Sequence, residues 1–238
     1  GFEKVIGTAQ TDSIIGDDGE ETLIGGAGND TLTGGAGDDV LRGGAGATDA
    51  VDYSDEGGND GGPDEDGGVI VDLSEDEATD TFGDTDELTG IEKVIGTGKD
   101  DEITGSAEDE VLKGNGGDDT LVAGGGDDTL EGGSGEDILV GSAGDDSMSG
   151  GNDNDVFRFT SVSDLDKGDK IDGNAGSTNS IDLQAAGTYD DDQFTNVSSV
   201  SEIVLSTDDA YDLTIDAEAS GIDGGSTVSV DATQTEVV

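Results

Sequence analysis

The stretch from Gly25 to Arg42 reads GGAGNDTLT followed by GGAGDDVLR, two consecutive copies of one nine-residue unit. Glycines hold positions one, two and four, an aspartate holds position six and a large apolar residue holds position eight. A second run, from Gly114 to Arg158, carries five more units: GNGGDDTLV, AGGGDDTLE, GGSGEDILV, GSAGDDSMS and GGNDNDVFR. Units that recur in one register indicate a repeat architecture, in which each unit forms part of a coil.

Each recurring position of the unit has a chemical reason. Glycines accept the positive φ of tight turns and allow backbone carbonyls to point into the turn. Aspartate at position six adds anionic oxygen, and calcium accepts the resulting irregular shell of about six to eight oxygens more readily than magnesium does. Positions seven to nine are expected to form a very short strand with its middle residue pointing inward, because strand side chains alternate.

The register identifies the candidate metal ligands and the candidate core. Position six falls on Asp12, Glu21, Asp30 and Asp39 in the first array, and on Asp101, Glu110, Asp119, Asp128, Asp137, Asp146 and Asp155 in the second. The glycines expected to shape the metal-binding turns are Gly25, Gly26, Gly28, Gly34, Gly35, Gly37, Gly114, Gly117, Gly124, Gly126, Gly132, Gly133, Gly135, Gly141, Gly144, Gly150 and Gly151. The apolar position gives two columns expected to stack inside a solenoid: Ile14, Leu23, Leu32, Leu41, Ile103, Leu112, Leu121, Leu130, Leu139, Met148 and Phe157.

The composition excludes several classes of function. The chain has no His and no Cys, so it cannot form a Ser-His-Asp triad, a cysteine nucleophile or a His-ligated zinc site. Paired carboxylates could still hydrolyse glycosides, but the acids here follow the turn motif instead of gathering with aromatic residues, so we expect the chain not to be an enzyme. Its net charge of -52 repels nucleic acid and anionic membrane surfaces and favours cations. No apolar run approaches the ~20 residues that span a bilayer, so no transmembrane segment is expected.

The same composition indicates that folding depends on metal. With 44 Gly, 60 acidic residues against 8 basic ones and 30% hydrophobic residues, the chain resembles a disordered protein by charge and hydropathy alone. If metal ions bind only the ordered turns, their binding free energy becomes folding free energy. The sequence therefore predicts a chain that folds when calcium is present.

Four segments are expected along the chain. They are a first array at 1–53, an acidic loop with connecting rungs at 54–95, a second array at 96–159, and a β-solenoid flank or cap at 160–238. The register of the first array is expected to break at Thr48, which takes the place of an aspartate. GFEKVIGT at 1–8 matches GIEKVIGT at 90–97 at seven of eight positions, and each copy leads into an array. Because the sequence opens inside such a unit without Met, it is expected to be a segment of a longer protein.

These residues resemble the RTX (repeats-in-toxin) calcium-binding proteins of bacteria, strongly over 7–46 and 96–159. The resemblance implies an all-β fold, a right-handed parallel β-roll or β-solenoid with two nonapeptides in each coil and calcium held between successive turns on the same side. Acids 18 residues apart would then face each other, which gives about seven sandwiched sites. The departures are Glu21 and Glu110 at position six, Gln10 and Lys99 at position four, and Thr48.

The resemblance also implies a secreted protein that folds outside the cell. Two functions follow from it. The first is a structural or adhesive module of a large cell-surface protein, such as a surface-layer protein or an adhesin, and the duplication at 1–8 and 90–97 favours this function. The second is a calcium-dependent export and folding module of a secreted hydrolase or toxin. Calcium ions, neighbouring copies or modules of the same protein and cell-surface polysaccharide are the expected partners.

Overall fold

The computed structural model describes residues 3–54 and 67–206, together with 212–213 and 227–230. Within these ranges nearly all regular structure is β-strand, and the helical segments are two 3₁₀ turns at Val162–Asp164 and Asp191–Phe194. The expected all-β class is confirmed. Residues 55–66, which belong to the acidic loop expected in the 54–95 segment, lie outside the described residues.

Two long sheets form the body of the molecule. The strands alternate between the two sheets along the chain through each array, because consecutive nonapeptide units contribute to opposite sheets. The first sheet contains, in spatial order, β1 (Val5–Ile6), β3 (Thr22–Ala27), β5 (Val40–Ala45), β9 (Thr85–Thr89), β8 (Glu77–Thr79), β7 (Ile70–Asp72), β11 (Glu102–Thr104), β13 (Thr120–Gly125), β15 (Ile138–Ala143), β17 (Val156–Phe159), β19 (Ser180–Leu183), β22 (Glu202–Leu205) and β24 (Thr227–Val230).

The second sheet is parallel along its whole length. It contains β2 (Ser13–Ile15), β4 (Thr31–Thr33), β6 (Ala50–Asp52), β10 (Lys93–Ile95), β12 (Val111–Gly116), β14 (Thr129–Ser134), β16 (Ser147–Asn152), β18 (Lys170–Asn174) and β21 (Val197–Ser198). A short pair, β20 (Thr188–Tyr189) and β23 (Asp212–Leu213), lies outside both sheets. These long parallel sheets confirm the expected β-roll class.

The register of the sheets follows the sequence period. Leu112 pairs with Leu130, and Leu121 pairs with Leu139, each pair 18 residues apart. The apolar residues at position eight are buried in both arrays, as predicted; Leu23, Leu130 and Phe157, for example, are fully buried. The core is therefore two columns of side chains between the sheets, and the turns that join the sheets lie at its edges.

The strands are longer than the sequence predicts. Six-residue strands such as β13 include positions seven to nine and also the first three residues of the next unit. The glycine-rich turns extend the sheets because their backbones form hydrogen bonds from coil to coil. The Gly125 N–H, for example, donates to the Ser106 carbonyl at 3.0 Å. Turns that pair in this way hold the position-six residues of successive coils in register.

A hairpin interrupts the first sheet between the arrays. β7 pairs with β8 and β8 pairs with β9 in antiparallel fashion, whereas β9 pairs with β5 and β7 pairs with β11 in parallel fashion. The second sheet continues past this point through the parallel pair β6 and β10. The two arrays are thus joined by one uninterrupted sheet, although residues 54–95 separate them in the sequence.

The first array does not end at Thr48, where the sequence predicts a break, although the nine-residue register shifts there by one residue. The turn contains one extra residue, and Asp49 takes position six: its Oδ1 accepts the Asp30 N–H at 2.8 Å, 19 residues away. β6 accordingly pairs with β4 at the same offset, Thr31 with Ala50. The insertion is accommodated in the turn, so the strand after it keeps its apolar residue, Val51, in the core.

Candidate metal centre

The position-six acids form two ladders, one along each edge of the roll. In each step Oδ1 of one aspartate accepts the backbone N–H of the position-six residue of the preceding coil. The distances run from 2.7 to 3.2 Å, for Asp30, Asp39, Asp49, Asp119, Asp128, Asp137, Asp146 and Asp155. This bond holds each carboxylate in one orientation, with Oδ1 on the backbone and Oδ2 turned away from it.

The second oxygen of each of these eight aspartates has no partner. Oδ2 is buried without a hydrogen bond in Asp30, Asp39, Asp49, Asp119, Asp128, Asp137, Asp146 and Asp155. Buried polar atoms are nearly always paired, and an anionic oxygen left alone in the interior is costly. Rows of buried carboxylate oxygens without a protein partner are donors of the kind that calcium accepts.

The turn conformation explains why these oxygens lack a donor. In each of the eight turns the residue at position two has a positive φ, as in Gly26, Gly124 and Gly133. Asn115 and Ser142 adopt the same conformation without being glycine, at φ 76° and 73°. The positive φ at position two thus coincides with a position-six aspartate whose Oδ2 has no partner.

Four position-six acids have a different environment. They are the first two position-six acids of each array, and each accepts the N–H of its own position-two residue: Asp12 from Thr8, Glu21 from Asp17, Asp101 from Thr97 and Glu110 from Ser106. None of these four donors has a positive φ. The structure thus separates the eleven predicted acids into seven with an unpartnered oxygen and four whose turns supply a donor.

The glycine at position one forms a cradle beside the unpartnered oxygen. A Cβ on Gly25, Gly114 or Gly132 would lie 2.6 to 2.8 Å from the carbonyl oxygen of the residue 18 positions later. It would lie closer still to Oδ2 of the aspartate five positions later. A carboxylate oxygen and a carbonyl oxygen therefore converge beside one Cα, an arrangement of hard oxygen atoms that suits calcium.

Burial raises the pKa values of these carboxyl groups. It raises the pKa of Asp119 to about 8, and of Asp137 and Asp146 to about 7, and the charges of neighbouring acids add to the effect. The largest cause is burial, which disfavours the ionised form of each carboxyl group. Without a cation, these groups would resist ionisation at neutral pH.

Sequence reasoning missed several acids that the structure brings to the same ladders. Asp86 accepts the Asp39 N–H at 3.0 Å, Glu92 accepts the Asp49 N–H at 2.8 Å, and Asp169 accepts the Asp146 N–H at 2.9 Å. Glu92 lies nine residues before Asp101, so the period itself could have identified it. For Asp86 the signal was weaker, because TFGDTDELT keeps only the acid at position six and the apolar residue at position eight of the unit.

Asp80, in the hairpin, carries a further unpartnered oxygen. Its Oδ1 accepts the N–H groups of Phe82 and Asp84, both at 2.9 Å, and its Oδ2 is buried without a partner. Burial and the charges of Glu21, Asp80 and Asp84 together raise the pKa of Asp39 to about 6. The interruption between the arrays therefore also holds a buried carboxylate oxygen without a partner.

Side chains alone do not enclose an ion in the part of the chain that is described. No group of three or more His, Cys, Asp or Glu side chains there is arranged to hold a metal ion. Any site at the ladders must draw most of its ligands from backbone carbonyls, as the cradles at position one allow. Separately, none of the described helical segments has the length and apolarity needed to cross a membrane.

Comparison with known proteins agrees with this geometry. The family described as RTX calcium-binding nonapeptide repeat (4 copies) matches residues 1–32, 15–48, 88–121, 95–130, 104–139, 122–157 and 131–166. A search of curated proteins found no match. The matched windows together include residues 1–48 and 88–166, more than half of the chain, and they contain seven of the eight ladder aspartates. The chain therefore belongs to the RTX calcium-binding nonapeptide repeat family, whose repeats bind calcium and whose members are typically secreted.

Proposed function

We propose that this roll binds about eight calcium ions in two columns and is a structural or adhesive module of a larger cell-surface protein. The observation that carries the calcium assignment is the set of eight unpartnered Oδ2 atoms in the ladders. Each Oδ2 atom would contribute one carboxylate ligand. Further ligands would come from the backbone carbonyls of the position-one residues in the same coil and in the next coil. The sequence alone gave about seven sites, and Asp49 adds the eighth.

The four acids at the start of the runs have a secondary place in this proposal. Asp12, Glu21, Asp101 and Glu110 stay predicted ligands, but an oxygen of each already accepts a backbone N–H. The glycines predicted from the sequence are proposed to act through their backbone. Those at position one give room and a carbonyl oxygen, and those at positions two and four give the turn its shape.

The continuous second sheet supports a structural role. Because β6 pairs with β10, the two arrays continue as a single roll and calcium in both arrays would stiffen one body. In this proposal, the described parts of the four expected segments are successive parts of that roll. The segments are 1–53, 54–95, 96–159 and 160–238. An export module requires calcium-dependent folding, but it does not require this continuity between separated arrays.

Rows of exposed acids on the turns support contact with neighbouring copies. Asp100, Asp109, Asp118 and Asp127 lie at position five and are exposed; each accepts the N–H of the position-five residue one coil later. These carboxylates do not face the core, so they are available to cations at the surface. We infer that calcium bridges such rows between copies or modules, and cell-surface polysaccharide is a second candidate partner for them.

Sedimentation of the 238-residue chain tests the structural role. In millimolar calcium we expect association that increases with protein concentration, and a variant with Asp118→Asn and Asp127→Asn should associate less while keeping its calcium-dependent fold. A wild-type chain that stays monomeric at high concentration while it is folded by calcium would contradict the assembly role. That outcome would favour the export module and leave the calcium assignment standing.

A further inference from the structure

The coil that follows Asp155 has an asparagine where the preceding coils have an aspartate. Asn179 is buried, and its Oδ1 accepts the Asp155 N–H at 2.9 Å, so it occupies the next step of the same ladder. In the preceding steps the atom on the other branch of the side chain is an unpartnered carboxylate oxygen. In Asn179 that atom is the Nδ2 amide nitrogen, which carries two hydrogens.

The amide nitrogen of Asn179 bonds to the carbonyls that would otherwise face an ion. It donates to the Gly173 carbonyl at 2.7 Å and to the Ser199 carbonyl at 3.0 Å. Gly173 lies at position one of its own coil, and Ser199 lies at the matching place in the next coil, because Asp172 pairs with Ser198. These are the counterparts of Gly132 and Gly150, whose turns converge on Oδ2 of Asp137.

The other ladder ends in a related way. Asp169 follows Asp146, and its Oδ1 accepts the Asp146 N–H at 2.9 Å. Its Oδ2 is not alone, because it accepts the Asp166 N–H at 2.7 Å. At the same level of the roll, both ladders therefore replace an unpartnered oxygen by a hydrogen bond within the protein.

We propose that Asn179 ends the cation column of its ladder, because its amide group occupies the place that calcium takes in the preceding coils. The inference rests on the proposed calcium columns and adds a boundary to them. The coil made by β18 and β19 is held by protein hydrogen bonds and needs no metal, so it forms a calcium-independent cap on a calcium-dependent roll. Asn179 is then a residue that determines where metal binds.

The test is a pair of reciprocal substitutions in the full chain, with bound calcium counted by equilibrium dialysis. Asn179→Asp restores an unpartnered oxygen beside two carbonyls, so it should bind one more calcium ion per chain than wild type. Asp128→Asn places an amide in an interior coil, so it should bind one fewer. Asn154→Asp adds the same charge at a half-buried turn position beside Asp155 and keeps the oxygen that accepts the Ser177 and Thr178 N–H groups, so it serves as the control and should leave the count unchanged.

If Asn179→Asp does not fold locally, hydrogen exchange at saturating calcium provides a second test. Asn179→Ala removes both hydrogen bonds that the side-chain amide donates. The backbone amides of β18, β19 and β22 should then exchange at least about tenfold faster, and adding more calcium should not restore their protection. An unchanged count in Asn179→Asp, with wild-type exchange in Asn179→Ala, would overturn the inference. If wild type itself bound no calcium, the proposed function would fail instead, so the two failures are distinguishable.

Discussion

Removal of calcium is expected to convert this protein from β-structure to coil, the largest effect that we anticipate. The eight ladder aspartates bury unpartnered anionic oxygens, and the chain carries a net charge of -52 that opposes compaction. Eight calcium ions would pair with these oxygens and offset 16 of the 52 negative charges. Their binding free energy becomes folding free energy because the unfolded chain has no such sites. Circular dichroism during titration with a chelator, followed by calcium, measures the change.

Sodium chloride at matched ionic strength is the control for this experiment. Salt screens exposed charges, but it does not supply a divalent ion that fits a cradle of carbonyl and carboxylate oxygens. We therefore expect NaCl to restore little of the β signal that calcium restores. Full β-structure in chelator and high NaCl would indicate that charge screening alone folds the chain, and would reject calcium-coupled folding.

The β signal measured over a pH series in chelator tests the same carboxylates independently. Their folded-state pKa values, about 6 for Asp128 and Asp155 and about 8 for Asp119, lie above the ordinary value of 3.8. The folded state thus binds more protons, and stability falls as the pH rises from about 4 through 8. Lowering the pH from 8 to 5 without calcium should recover part of the β signal.

Substitution of an interior ladder aspartate should have the second largest effect. Asp128→Ala removes an unpartnered oxygen and also the acceptor for the Glu110 N–H, in the middle of a column. We expect the calcium concentration at the folding midpoint to rise about tenfold or more, because a structural metal site contributes several kcal/mol. Calcium titration monitored by circular dichroism measures this midpoint.

Two variants provide the comparison for Asp128→Ala. Asp127→Ala removes the same charge from the neighbouring residue, which is exposed, and should shift the midpoint by less than about twofold. Asp12→Ala changes an acid at the start of a run, whose oxygen accepts the Thr8 N–H, and its effect should be intermediate. Equal midpoints for Asp128→Ala and Asp12→Ala would argue against sites shared along a column.

The regular part of the fold could be predicted from the nonapeptide period. One glycine-rich turn, one acid and one apolar residue per unit determined the buried columns, the 18-residue register and seven of the eight ladder aspartates. The period could not reveal Asp49, because one inserted residue in the turn shifts the acid while the strand after it resumes the pattern. A comparison of turn lengths, with the apolar residue Val51 as the reference point, would have detected it.

The remaining features depend on contacts that are distant in sequence. The antiparallel hairpin of β7, β8 and β9 joins strands whose pairing partners lie in different arrays, and no local pattern specifies that arrangement. Some position-six acids have an unpartnered oxygen and others accept a backbone N–H, and this division follows the sign of φ at position two. Asn115 and Ser142 adopt a positive φ without being glycine. Likewise, no local pattern distinguishes Asn179 from the position-six acids. Its two carbonyl partners, Gly173 and Ser199, indicate the role proposed for it.

Anomalous diffraction from crystals of the chain grown in calcium would test the central claim most directly. We expect calcium peaks beside Oδ2 of each of the eight ladder aspartates, in two columns along the edges of the roll, and no peak at Asn179. Ordered turns without anomalous peaks at these oxygens, or with calcium confined to the exposed position-five acids, would contradict it.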